Sequence, residues 1–131
     1  MPTIVALIAC AILIGLAIFQ AALARGAALG RFAWGGQYDV LPSHLRRSSV
    51  LAIVLYVFFI LIILQGADII NPFTDLVGRI AIWVLTAYFF VAFIMNARSR
   101  SRSEQIVMGP ISLVLSALTL IVAIAGRIHL L

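Results

Sequence analysis

The fold class this sequence predicts is an all-α bundle of four membrane-spanning helices, and three observations predict it. Of 131 residues, 65% are apolar and 10% charged, with a mean hydropathy of +1.24. A soluble domain is about 45–50% apolar and about 25% charged, so a water-facing surface is excluded over most of the chain. The apolar residues gather into four runs, each able as a helix to cross a hydrocarbon layer ~30 Å thick at about 1.5 Å per residue. The stretches between them are polar and carry nearly all the charge. One four-helix transmembrane domain, 1–131, follows, with spans at about 3–23, 48–65, 76–96 and 106–125.

The first run has neither Lys nor Arg ahead of it and is longer than the apolar core of a secretory signal, so it reads as a retained span. The second, SSVLAIVLYVFFILIILQ, is built of large aliphatic and Phe residues with Tyr56 as its internal polar group, and is expected to face lipid broadly. For the third, Asn71-Pro72 offers an N-cap followed by proline at the first helical position, and Asp75 complements the positive helix end. Two starts are open for the fourth. Ser101 and Glu104 match a capping box, which leaves Pro110 inside the helix as a kink; alternatively Gly109 closes the loop and Pro110 falls in the first turn.

All nine basic residues are arginine, set against Asp39, Asp68, Asp75 and Glu104 for a net charge of +5. They form no soluble basic face, and nucleic acid is not an expected partner. The first and third connections hold seven of them (Arg25, Arg31, Arg46, Arg47, Arg98, Arg100, Arg102), while Arg79 and Arg127 are alone on the other side. Cytoplasmic loops carry the arginine excess, so both termini are expected in the periplasm of a bacterial inner membrane. Cys10, the single cysteine, lies within the first run, where it reads as a packing residue. His44 and His129 fall on opposite predicted faces and lack ligand partners, so no metal or cofactor is expected.

Helices in lipid associate through close packing, which small residues permit. In the fourth run Gly109, Ser112, Ser116, Thr119, Ala123 and Gly126 are spaced by 3, 4, 3, 4 and 3, a heptad seam of small side chains. In and after the first run, Gly15, Gly26 and Gly30 supply small residues, and the last two form a GxxxG. Helices one and four are therefore expected to pack together, in the bundle centre or at an oligomer seam.

No Asp, Glu, Lys or His lies deep within a span, which counts against a proton relay. Arg79 is the charge inside the third run, read either as an anion ligand facing a cavity or as a side chain that snorkels to the interface near Asp75 and Trp83. Gln20, Gln65, Thr86, Asn96, Ser112, Ser116 and Thr119 suit interhelical hydrogen bonding or a pore lining. The first connection, 24–47, is the most distinctive segment. Between its basic ends it carries Arg31, Phe32, Trp34, Gly35, Gly36, Gln37 and Tyr38, followed by Arg46 and Arg47, a composition suited to the headgroup layer or to a partner.

In this GRFAWGGQ…VLP..LR segment and in the span layout, the sequence resembles a group of small bacterial four-span membrane proteins. The resemblance implies the architecture and carries no activity. Four-span fluoride channels share the length, but their Asn-bearing second helix and Thr-Phe-rich break in the third have no counterpart here. The expected function is a non-enzymatic accessory, assembly or structural membrane subunit, acting through helix packing and the 24–47 connection. Its expected partners are the lipid bilayer and other membrane subunits or a second copy. The alternative is an oligomeric channel or transporter for an anion or small solute, lined by Arg79 and the Ser/Thr face. No nucleophile, base or metal constellation points to an enzyme.

Overall fold

The computed structural model describes residues 2–129, the last four by backbone alone. Four helices account for the spans: α1 (Pro2–Ala24), α2 (Ser43–Gly66), α3 (Asp75–Ala97) and α4 (Gly109–His129). All four are long and apolar enough to cross a membrane, the fourth when counted from Glu104 to Ala125. The protein is thus an all-helical, multi-pass membrane bundle. The helices form a ring in chain order, with α1–α2, α3–α4 and α4–α1 as its main seams and α2–α3 as the thinnest.

Apolarity is nearly uniform around each helix, so residue size and shape decide which face turns inward. The core takes Val5, Ala6, Ala9, Cys10 and Leu13 from α1, Ile63 from α2, Ile82, Leu85 and Phe89 from α3, and Leu115, Val122 and Ala123 from α4. Ile82, Leu85 and Phe89 are spaced by three and four, and the α1 residues repeat every four, which places each of these sets on one helical stripe. Val50, Leu51, Val54, Leu55, Val57 and Phe58 stay exposed on α2, the outward face its composition predicts.

The start of α3 differs from expectation. Thr74, not Asn71, is the N-cap: its hydroxyl accepts from the Val77 N–H, and Pro72 precedes the helix. The physical reason lies in α2, where the buried Gln65 side chain bonds the backbone of both Phe73 and Thr74 and holds that stretch extended. Arg79 therefore stands one turn into α3.

At the start of α4 the earlier of the two sequence options holds, and Gly109 is helical rather than a loop end. The Ser101 hydroxyl accepts from the Glu104 N–H at 3.3 Å, and the chain is helical from Arg102. Pro110 then sits inside the helix. It has no N–H to donate and its ring crowds the carbonyl four residues back, and the helix meets this by widening into a π-turn over Glu104–Met108, where the Gly109 N–H reaches the Glu104 carbonyl.

The small-residue seam of α4 is buried at Ser112, Ser116, Thr119 and Ala123, and its hydroxyls face α3 rather than α1. Ser116 donates to the Thr86 carbonyl at 3.1 Å, Thr119 Oγ1 lies 3.1 Å from Thr86 Oγ1, and Asn96 donates to Ser112 at 2.8 Å. Gly109 is buried as well, while Gly126, Arg127 and His129 lie outside the described side chains. Helices α1 and α4 do pack together as expected, but not through the α1 glycines. A Cβ at Gly15 would meet nothing within 4 Å, and Gly26 and Gly30 lie beyond the last turn of α1. Gly26, at φ +92°, turns the chain out of the helix, a backbone conformation that glycine adopts without strain.

Candidate functional site

The first and third connections meet at the arginine-rich end. After α1 the chain makes two short 3-10 turns, Gly30–Phe32 and Trp34–Gly36, and folds back so that the Gly30 N–H donates to the Asp39 carbonyl at 2.9 Å. Gly30 is required by this close approach, since a Cβ there would run into the Tyr38 carbonyl. Arg46 Nε donates to the Leu41 carbonyl at 2.7 Å, and its guanidinium lies against Gly26, joining the start of α2 to the exit from α1. The Ser101 hydroxyl donates to the Arg31 carbonyl, and its Cβ is so close to Gly36 that a side chain there would come within 2.6 Å. Leu41, 1% exposed, anchors the returning arm of the connection.

The sequence-predicted loop residues thus divide between two roles. Phe32 packs edge-on to Phe19 of α1, with centroids 6.3 Å apart, and carries the Arg31 guanidinium at 4.8 Å from its own ring. Gly35 and Gly36 take positive φ and Arg46 is a latch. Trp34, Gln37, Tyr38 and Arg47 are exposed. Trp34 is held at φ 54°, a backbone conformation uncommon for a bulky residue.

Beneath this roof lies a cavity of about 340 Å³. Tyr56, Tyr88 and Phe89 line it, and Phe59 packs behind the last two with its ring 5.2 Å from Tyr88 and 5.7 Å from Phe89. Phe32, Ala33 and Trp34 cover it, and its polar lining comes from all four helical segments: Gln20, Ser48, Ser49, Tyr56, Tyr88, Asn96, Glu104 and Ser112. The Gln20 amide sits beside the Tyr56 hydroxyl. Asn96 donates to Ser112 and, at 3.4 Å, to the Met108 carbonyl, which bridges α3 to the π-turn. A second, almost wholly apolar groove lies between α1 and α4, lined by Gly15, Val107, Pro110 and Val114 among others. Leu16, Phe19, Met108 and Ile111 line both spaces and partition them.

Glu104 is the residue whose role in this site sequence reasoning missed. The capping box would direct its carboxylate back to the Ser101 N–H, but that N–H donates to Ser99 Oγ at 3.1 Å instead. Glu104 is 7% exposed as a residue and lines the cavity; no donor among the described residues reaches its carboxylate, whose oxygens are not sealed in the interior. Arg79 is elsewhere: it is exposed at the opposite end of the bundle and lines neither space. Among the described residues there is no group of three or more His, Cys, Asp or Glu able to hold a metal ion. No family model, curated protein or solved structure matches the chain.

Proposed function

We propose that this protein is a non-enzymatic accessory subunit of a bacterial inner membrane, and that it works through its arginine-rich end, which faces the cytoplasm. The observation that supports this reading is the latching of connection 24–47 by Arg46–Leu41, Gly30–Asp39 and Ser101–Arg31, with Trp34 51% exposed and Tyr38 and Val40 beside it. A long connection is normally mobile and costs ordering entropy when it binds; one already held in place presents its aromatic residues at little further cost. Tyr and Trp on a rigid support are the common anchors of a protein interface, and the fitting partner is another membrane subunit or a second copy. The arginine asymmetry supports the orientation.

The channel alternative has less to draw on. The Ser116 and Thr119 hydroxyls are already bonded across or along the α3–α4 seam, so a pore would need another lining. The test is affinity purification of the full chain from its source membrane in mild detergent, beside a Trp34→Ala/Tyr38→Ala variant. A membrane protein, or a second copy, present in stoichiometric yield and lost from the variant is the expected result. A strictly monomeric protein with no companion, or a companion indifferent to the variant, would overturn the proposal.

A further inference from the structure

The geometry points to the roofed cavity as a site for the head of a membrane phospholipid bearing a primary ammonium group, with Glu104 as its counter-charge. This goes beyond partner docking and does not depend on it. The argument begins with access. Tyr88, Val91 and Met95, which line the cavity, are also 48%, 53% and 68% exposed on the outer side of α3, next to the thinnest seam of the ring. A molecule can therefore enter sideways from the bilayer, its acyl part lying over these residues and its polar part beneath Phe32 and Trp34.

The polar groups then select the head. The Glu104 carboxylate lines the cavity with no hydrogen bond from a described residue, and a cation that brings N–H groups supplies charge-assisted ones. Asn96 donates through Nδ2 to Ser112 and Met108, which leaves its carbonyl oxygen as a second acceptor, and the Tyr56 and Gln20 oxygens lie deeper along the wall. A primary ammonium has three donors and no acceptor and matches this set. A trimethylammonium has the charge but no N–H, and an uncharged glycerol head lacks the charge. The phosphate of the same lipid would remain at the rim, where Arg47 adjoins the lining residue Ser48 and Arg98 lies two residues beyond Asn96, both exposed.

The test places the full-length protein in nanodiscs of equal parts phosphatidylethanolamine, phosphatidylcholine and phosphatidylglycerol, and reads retained lipid by native mass spectrometry after transfer to mild detergent. Wild type is expected to retain the ethanolamine lipid roughly tenfold or more over the other two, the scale of one charge-assisted hydrogen bond. Glu104→Gln is expected to bring the three to parity. Ala52→Phe, which fills the cavity from α2 and leaves Glu104 in place, is expected to lose the retained lipid at unchanged helix content, and it keeps the test decisive if the Glu104 variant fails to fold. Retained lipid that mirrors the supplied mixture, a preference that survives Glu104→Gln, or retention unchanged in Ala52→Phe would overturn the assignment. So would enrichment of phosphatidylglycerol, which would place selection in the arginine layer.

Discussion

The side-chain amide of Gln65 and the backbone of Phe73 bond each other in both directions: Nε2 donates to the Phe73 carbonyl at 3.0 Å, and Oε1 accepts from the Phe73 N–H at 2.8 Å. A third bond, to the Thr74 carbonyl at 3.2 Å, completes the hold on the connection between α2 and α3. Opposite this amide is Gly78, where a Cβ would overlap Nε2 and approach Cδ to 2.9 Å.

A sign reversal follows. Gln65→Ala should cost about 2–3 kcal/mol, from three hydrogen bonds worth about 1 kcal/mol net apiece. Gly78→Ala alone should cost about 1–2 kcal/mol, because the amide it displaces is tethered. In the Gln65→Ala background the obstacle is gone, and the same substitution should stabilise by up to about 1 kcal/mol through helix propensity. Reversible unfolding in mixed micelles for the four proteins of this cycle measures the coupling; equal effects of Gly78→Ala in both backgrounds would refute it.

The hydroxyl ladder between α3 and α4 should be worth modest amounts at each rung. Thr119→Val keeps the shape and removes an oxygen that lies 3.1 Å from Thr86 Oγ1, so a loss of about 0.6 kcal/mol is expected, with about 1.7 kcal/mol as the upper limit for such bonds in membranes. Ser116→Leu is different in kind. It forces a large side chain against the α3 backbone at Thr86, and the overpacking should cost about 1–3 kcal/mol. The same micelle unfolding assay separates the two.

Gly30→Ala should open the roof without unfolding the bundle. The added methyl collides with the Tyr38 carbonyl, so the Gly30–Asp39 bond cannot form, while every core residue of the four helices is left in place. Hydrogen exchange should show protection lost over 30–42 and retained through α1–α4. Protection lost throughout would mean that the connection is part of the cooperative core.

Topology reporters test the orientation. Alkaline phosphatase fused after Asp68, in the second connection, should be active, and fusions after Tyr38 or Ser101 should be inactive. The reverse pattern would put the arginine-rich end outside and remove the basis for a cytoplasmic working surface.

The sequence by itself determined that four apolar helices form, roughly where each lies, that connections one and three share an end, and that α2 turns a broad face to lipid. These properties depend on local composition and on the parity of crossings, because a backbone in hydrocarbon must satisfy its hydrogen bonds as helix. Only the tertiary structure decided which helix meets which. The spacing of Ser112, Ser116, Thr119 and Ala123 marked a packing face but not its partner, and the positions of Thr86 and Asn96 on α3 settled it. It likewise moved the α3 cap to Thr74 through a side chain on α2, withdrew Gly26 and Gly30 from the helix seam, and turned Glu104 from a capping residue into a cavity wall. At the α3–α4 seam the deciding neighbour is distant along the chain and carries no periodic signal: a bond across 16 or more residues depends on where two helices are placed, which no local spacing encodes.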